Sequence, residues 1–380
     1  MNVGSRVDTM RNRNLMTRFW RRTALGLLVA LPLLALVLLR ANLEETADAM
    51  GDANYPLILP AMILFAAALW FQAVRWRYLL KPLADVSAKR LYPVLLIGHF
   101  GNVLLPLRGG EIVRALVLHR REGISRMAIV GTLALERALD GLTLVGLLVI
   151  SMAFVETSQR LWGLVAAGAL IFGGASAALV AIAFLPEQSA RVAEIGISRA
   201  PGTWRRNLRV WLESFFTGIQ ALRTPDGVAA ILAGTAGFWV VVACVYWIVG
   251  EAFHLDKGFG TYALVTSAAN LSVSIPSSQG GFGPFEFFVR QTLAFRGVPA
   301  SVATAYALSL HAVLLVPVIL LGLISLWIVG LSLTEITQSA GPGELAGTDE
   351  ESSVAAIAST PEGTSVSRPA PEAGQGADTV

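Results

Sequence analysis

NVLLPLRGGEIVR, residues 102–114, breaks a long apolar part of the chain with a proline, a glycine pair and charged side chains. The composition around it is that of a membrane protein: of the 380 residues, 54% are hydrophobic and 14% are charged, and the mean hydropathy is +0.63. Soluble globular chains carry about 25% charged residues. Because lipid cannot satisfy the polar backbone groups of a broken segment, protein or a water-filled cavity must surround it. The stretch therefore predicts a polar cavity inside an integral membrane protein.

Six apolar runs are long enough to cross a bilayer, which needs about 20 apolar residues per helix. They are 23–39, 56–74, 127–155, 161–185, 228–250 and 301–331. Two shorter apolar runs, 91–107 and 261–276, each end in a proline that is followed by glycines. The predicted fold is an all-α polytopic membrane protein with about six full transmembrane helices. The first run follows several arginines and is interpreted as a retained anchor rather than a cleaved signal.

Lysine and arginine predict the orientation, because they concentrate in cytoplasmic loops. The basic segments are 1–22, 75–90, 108–126 and 186–226, whereas 40–55, 156–160 and 251–260 carry one basic residue each. Both termini are then cytoplasmic. The run 91–107 becomes a re-entrant hairpin from the cytoplasm, and 261–290 dips in from the outer face.

Three regions follow from this reading. Residues 1–22 form a basic cytoplasmic N-terminus, and 23–331 form the integral membrane domain. Residues 332–380 are rich in Gly, Pro, Ser, Thr, Ala and acidic residues, a composition that cannot bury a core. They are predicted to be a disordered cytoplasmic tail.

The broken stretch has a second copy in NLSVSIPSSQGGFGPFEFFVR, residues 270–290. The order of asparagine, proline, paired glycines, glutamate and arginine is kept in both. The hairpin-forming residues are Asn102, Pro106, Gly109 and Gly110 in the first copy, and Asn270, Pro276, Gly280, Gly281 and Gly283 in the second. Since the copies enter from opposite faces, they predict two re-entrant broken hairpins related as an inverted repeat. Secondary transporters built this way bind substrate between the repeats, near the middle of the bilayer.

Charged residues inside the run 127–155 mark a second candidate site. Glu136, Arg137 and Asp140 lie within five residues, and such charges are costly in a membrane unless paired or solvated. They are either an internal ion pair that holds helices together or a site for a headgroup or ion. Arg108, Arg114 and Arg137 can offer planar donors to phosphate.

Two glutamates, Glu111 and Glu286, follow the glycines of the two broken segments. They either cap the helices that begin there or bind an amine. His99 and His311 are interpreted as hydrogen-bonded structural residues rather than ligands.

Several function classes are excluded by the motifs that the sequence lacks. It has no Walker, H-E-x-x-H, G-x-S-x-G or dinucleotide-binding pattern. The single cysteine, Cys244, allows no internal disulfide or cysteine-based metal site. The 29 Lys+Arg residues barely exceed the 26 Asp+Glu residues, so no nucleic-acid partner is expected. No catalytic residue, metal or cofactor is predicted.

PLRGGEIVR (106–114), ERALD (136–140) and PSSQGGFGPFE (276–286) together resemble the lysylphosphatidylglycerol synthase transmembrane, flippase-like family. The resemblance covers about residues 20–331. It implies movement of a phospholipid or lipid-linked substrate between leaflets of the cytoplasmic membrane. Well-known members continue into a soluble aminoacyltransferase domain, whereas here only the tail follows, so the chain is expected to be a stand-alone member. Gln279 stands where a proline is common in the family.

The leading hypothesis is a lipid translocase whose headgroup site combines Arg108, Arg114 and Arg137 with Glu111, Glu136, Asp140 and Glu286. One alternative is a membrane transferase acting on a polyprenyl- or aminoacyl-linked lipid, with Glu136 or Asp140 as base. Another is a non-catalytic protein that presents lipid to a partner. A membrane lipid is the predicted ligand. A second copy of the chain and a separate lipid-modifying enzyme stay open as protein partners.

Overall fold

The regular secondary structure of the described residues is helical and includes no strand, which confirms the all-α prediction. The computed structural model describes residues 31–35, 37, 42–105, 109–154, 163, 166–167, 169–198, 205, 209, 212–217, 219, 225–273 and 279–332. The predicted tail from residue 333 on, most of the first span and the three site residues Pro106, Arg108 and Pro276 therefore lie outside the described residues.

Eleven α-helices are numbered here along the described residues. They are α1 (Leu43–Gly51), α2 (Ile58–Leu80), α3 (Ala88–Leu104), α4 (Gly110–Glu122), α5 (Arg126–Met152), α6 (Gly174–Phe184), α7 (Pro186–Ser198), α8 (Pro225–Ala252), α9 (Phe259–Val273), α10 (Pro284–Phe295) and α11 (Ala300–Val329). Short 3₁₀ turns occupy Tyr55–Leu57 and Gln279–Gly281, and a π-helical turn, Ala169–Gly173, precedes α6.

Three helices in the described residues are long and apolar enough to cross a membrane: Tyr55–Leu80, Gly227–Ala252 and Ala300–Val329. A fourth span results if the pair Leu170–Phe184 and Glu187–Ile195, bent by 111°, is counted as one. Helix α5 has 27 residues but is not in this set, and it carries three charged residues near its middle. The predicted 186–226 loop begins instead with a helix, α7.

The predicted boundary of the second span was wrong. The sequence placed Arg75 at the start of a basic cytoplasmic loop, yet α2 continues to Leu80 and Arg75 is fully buried within it. The helix continues because Leu79 and Leu80 extend the same buried face by one more turn. An arginine in this position needs buried partners, which the candidate site supplies.

The same packing pattern occurs twice. Helices α2–α5 contain the first broken stretch and α8–α11 the second, and in each set the helices that flank the break pack against one another: α3 with α4, and α9 with α10. Across the two sets α2 packs on α8. Helix α3 packs on α11, and reciprocally α9 packs on α5. Each broken segment is therefore supported by the long helix of the other set.

Glycine has a steric role at the first break. The backbones of α3 and α4 approach so closely that a Cβ on Gly101 would lie 2.8 Å from the Cα of Gly110. A Cβ on Gly110 would overlap the carbonyl oxygen of Gly98. Small residues allow such contact between membrane helices. Gly109 has φ −58° and lies in the ordinary right-handed region.

The second break needs glycine for its conformation instead. Gly280, Gly281 and Gly283 have φ of 68°, 80° and 95°, a region that side-chain-bearing residues rarely adopt. The two copies therefore use the same residue type for different physical reasons.

Gly110→Ala is expected to destabilise the folded chain by about 3 kcal/mol, since its Cβ meets backbone atoms that cannot rotate away. Thermal unfolding in detergent measures this. Gly146→Ala is the matched control: this helical glycine in α5 has nothing within 4 Å of an added Cβ, so the change should stabilise by about 0.5–1 kcal/mol. Equal melting temperatures for both variants would contradict the close packing of α3 and α4.

Candidate functional site

A buried cluster of charged side chains joins α2, α4 and α5. Arg114 makes a bidentate pair with Glu136, with both nitrogen–oxygen distances 2.9 Å. Arg75 contacts Asp140 at 2.5 Å and Glu136 at 3.3 Å. Arg137 lies 2.6 Å from Glu136 and 3.2 Å from Asp140. Each carboxylate therefore contacts at least two guanidinium groups.

Neutral side chains complete the surroundings of this cluster. Thr235 and Trp239 of α8 contact the Arg75–Asp140 pair, with the Trp239 indole N–H donating to Asp140 at 3.1 Å. The guanidinium carbon of Arg114 lies 3.7 Å from the centroid of the Trp76 ring, a cation–π contact. The cluster thus ties α8 to α2, α4 and α5.

The cluster opens at one edge. Arg137 and Glu111 are about equally exposed, at 29% and 28%, and lie 3.6 Å apart. With this pair included, three arginines balance three carboxylates. Arg75, which the sequence assigned to a loop, is essential to that balance. The signal in the sequence that Arg75 lies inside a helix was the pair Leu79 and Leu80, which continue α2 beyond it.

The sequence predicted Glu136, Arg137 and Asp140 as either an internal ion pair or a headgroup site. Their geometry has the features of an internal ion pair, because Glu136 binds both terminal nitrogens of Arg114. Arg137 and Glu111 are the partly exposed members of the cluster. Arg108 lies outside the described residues.

A second polar group lies at the other break. The backbone N–H of Gly283 donates to Glu286 at 2.7 Å, which caps the start of α10. The other Glu286 oxygen is 2.5 Å from Nδ1 of His311, and Nε2 of His311 is 3.0 Å from the carbonyl oxygen of Gly280. Both ring nitrogens face oxygens, so the ring can donate to both only when it carries both protons. The His311 ring packs between Phe282 and Phe285.

A cavity of about 190 Å³ lies between the two breaks. Four of the predicted hairpin residues line it, namely Asn102, Asn270, Gly280 and Gly281. His99 and His311, which were interpreted as structural, also line it, together with Phe65, Val103, Val273, Phe285, Leu314, Leu315 and Val318. Both histidines are hydrogen-bonded, and both also face the cavity. The sequence had no signal that distinguished these two roles.

The lining described for this cavity differs from the predicted headgroup site. Arg114, Arg137, Glu111, Glu136 and Asp140 belong to the charged cluster and are not among the described residues that line the cavity. Glu286 reaches it only through His311. The predicted site residues therefore divide into two places.

A contact on α2 connects the two places. His99 is 2.7 Å from Gln72, and Gln72 lies one helical turn before Arg75 on the same buried face.

Asn102 accepts a hydrogen bond at 3.0 Å from the backbone N–H of Gly110. The end of α3 is thereby fixed to the start of α4, beside the cavity.

Comparison with known proteins identifies the relatives of this chain. It is 26% identical over 331 residues to the glycosyltransferase AglD of Haloferax volcanii, a match that covers 78% of the chain and 53% of AglD. The chain thus spans about half the length of that relative. It is 24% identical over 302 residues to a UPF0104 membrane protein of Methanothermobacter thermautotrophicus, covering 74% of the chain and 88% of the relative. No solved structure matches it.

The family model described as lysylphosphatidylglycerol synthase TM region matches residues 23–322. That range contains every helix of the two packed sets except the last residues of α11. It also contains both breaks, the charged cluster and the cavity. The chain therefore belongs to the family of the lysylphosphatidylglycerol synthase transmembrane region.

Proposed function

We propose that the protein is a lipid translocase of the cytoplasmic membrane, with both termini cytoplasmic. The observation that carries this proposal is the cavity between two helix breaks, which the corresponding asparagines of the two copies, Asn102 and Asn270, both line. Irregular backbone within a membrane domain must either be buried in protein or line such a cavity. The headgroup of a phospholipid or lipid-linked substrate would enter it while the acyl chains stay in the bilayer.

The reciprocal packing of the helices supports an inverted repeat. Two copies related by a two-fold axis must exchange equivalent contacts, as α3 with α11 and α9 with α5 do, while α2 with α8 is the contact across the axis. Transporters with inverted repeats alternate access by moving one repeat against the other. The same motion here would expose the cavity first to one leaflet and then to the other.

The lining of the cavity between the two breaks favours a headgroup that carries hydroxyls. Asn102, Asn270 and His99 bring amide and imidazole groups to its wall. Such groups donate to and accept from hydroxyls. Glycerol and sugar headgroups have this chemistry.

We propose that His311 fixes the second break in place. It holds the carbonyl of Gly280 and the carboxylate of Glu286 together, so the glycine-rich turn 280–283 and the start of α10 are fixed to α11. Release of either contact would free this turn to move. The charged cluster holds the first break in the same way, through Arg114 on α4 and Glu136 on α5.

A membrane transferase acting on a lipid-linked substrate is the second candidate, because one relative is named a glycosyltransferase. Its predicted base was Glu136 or Asp140. Both carboxylates are occupied by ion pairs with arginines, so neither is free to contact a substrate. This geometry favours translocation over base catalysis. A protein that only presents lipid to a partner does not require the cavity between the breaks.

Val103→Trp is expected to stop lipid movement, because the added ring fills the cavity beside Gly280. The protein would be reconstituted in liposomes with fluorescent phosphatidylglycerol, its aminoacyl form or a polyprenyl-phosphate sugar, and leaflet exchange measured. Val240→Trp is the matched control, since Val240 lies on α8 with half of its surface exposed, at 50%. It should move lipid as the unmodified protein does.

Two results would contradict the translocase. One is that the unmodified protein moves no lipid of the panel. The other is that Val103→Trp moves lipid at the same rate as Val240→Trp. A new lipid product formed by the unmodified protein would favour the transferase.

A further inference from the structure

A second, larger cavity of about 540 Å³ lies at the other end of α5. Its wall is mostly apolar and includes Leu147, Ile150, Phe154, Phe259 and Ala263. Ile150 follows Asp140 by ten residues, about 15 Å at 1.5 Å per residue along the helix. The cavity is therefore distinct from the charged cluster and shares no lining residue with the cavity between the breaks.

One cation lines this wall. Arg296 is the C-terminal cap residue of α10 and contributes to the cavity. Its Nε is buried and has no hydrogen-bond partner within the described part of the chain. No carboxylate of the described residues forms an ion pair with it, in contrast to the paired Arg75, Arg114 and Arg137. A buried guanidinium N–H without a partner is costly, and an anion would satisfy it.

We propose that this cavity binds a phospholipid, with the phosphodiester on Arg296 and the first part of an acyl chain against Ile150 and Phe259. Guanidinium groups match phosphate geometry, and the apolar wall suits methylene groups. The volume lies in the range of small-molecule sites, about 300–1,000 Å³. The chain segment 251–260, which contributes Gly258 and Phe259 to this cavity, is predicted to be outside, so the lipid would belong to the outer leaflet. This site does not depend on the proposed translocation.

Lipid titration of the purified full chain, followed by native mass spectrometry, tests the site. The probes are dioleoyl-phosphatidylglycerol and dioleoylglycerol, which has the same acyl chains and no phosphate. Arg296→Gln is expected to weaken phosphatidylglycerol binding at least roughly tenfold, since a charge-assisted hydrogen bond is lost. Dioleoylglycerol should bind the unmodified protein and the variant alike.

Two further variants separate this site from general charge and folding effects. Lys257→Gln removes a cation from the adjacent segment outside the described lining of the cavity, and it should bind phosphatidylglycerol as the unmodified protein does. Ile150→Trp fills the cavity from an exposed position and should lose the lipid although Arg296 is kept. Equal phosphatidylglycerol binding by Arg296→Gln, Ile150→Trp and Lys257→Gln would overturn the proposal.

Discussion

Glu136→Gln is expected to lower the stability of the folded chain by about 3–5 kcal/mol, the cost of breaking a buried ion pair by removing one partner. Glu136 is fully buried and contacts three guanidinium groups, those of Arg75, Arg114 and Arg137. The neutral amide has the same shape but leaves these cations with less counter-charge in a region from which water is excluded. Thermal unfolding and the yield of monodisperse protein in detergent measure the effect.

An exposed pair provides the matched control for this substitution. Asp85 lies 3.3 Å from Arg77, and their side chains are 77% and 48% exposed. Asp85→Asn should change stability by no more than about 1 kcal/mol, because solvent screens exposed pairs. The double variant Glu136→Met with Arg114→Met should be more stable than Glu136→Gln, since it removes both charges of the bidentate pair. A Glu136→Gln protein as stable as Asp85→Asn would show that the cluster does not hold the helices together.

His311→Phe is expected to reduce lipid movement by at least roughly tenfold, which corresponds to the loss of about 1.4 kcal/mol of the interaction that positions the turn 280–283. Phenylalanine keeps the ring between Phe282 and Phe285 but makes neither the bond to Glu286 nor that to Gly280. His311 acts here as a positioning residue of the second break. Leaflet exchange in liposomes measures the loss.

Two further variants distinguish a positioning role of His311 from a general loss of stability. Thr292→Val removes a buried hydroxyl that donates to Phe288 within α10, away from the cavity, and should leave the exchange rate unchanged. His311→Gln retains donors and should recover part of the rate. If His311→Phe and Thr292→Val exchange lipid equally fast, the proposal that His311 positions the turn 280–283 is refuted.

The sequence was most informative about what the first and second breaks contain. Proline and paired glycines interrupt a helix through local backbone effects, and these are visible at Gly109, Gly110, Gly280 and Gly281 without any tertiary structure. The sequence could not show that Gly110 is needed for close packing whereas Gly280 is needed for a positive φ. That difference depends on how closely another backbone approaches Gly110 and on the backbone conformation that Gly280 itself adopts.

The charged cluster could be predicted in part. Glu136, Arg137 and Asp140 stand out because charge inside an apolar run is locally visible. Arg75 was misassigned, since it lies near the end of its run and its partner Asp140 is 65 residues away. His311 was interpreted as a hydrogen-bonded structural residue, but its partner Glu286, 25 residues away, could not be identified from the sequence.

The sequence by itself predicted an all-helical membrane protein that is broken at two places of similar sequence and charged inside one long helix. Apolar length, proline and glycine act on the chain locally, so their consequences can be read along it. Only the tertiary structure decided that α3 packs on α11 and α9 on α5, that Arg75 completes the charged cluster, and that the cavity is lined by asparagines and histidines. Those contacts join residues far apart in the chain, and the free energy that selects them comes from which helix faces meet and which buried charges find partners.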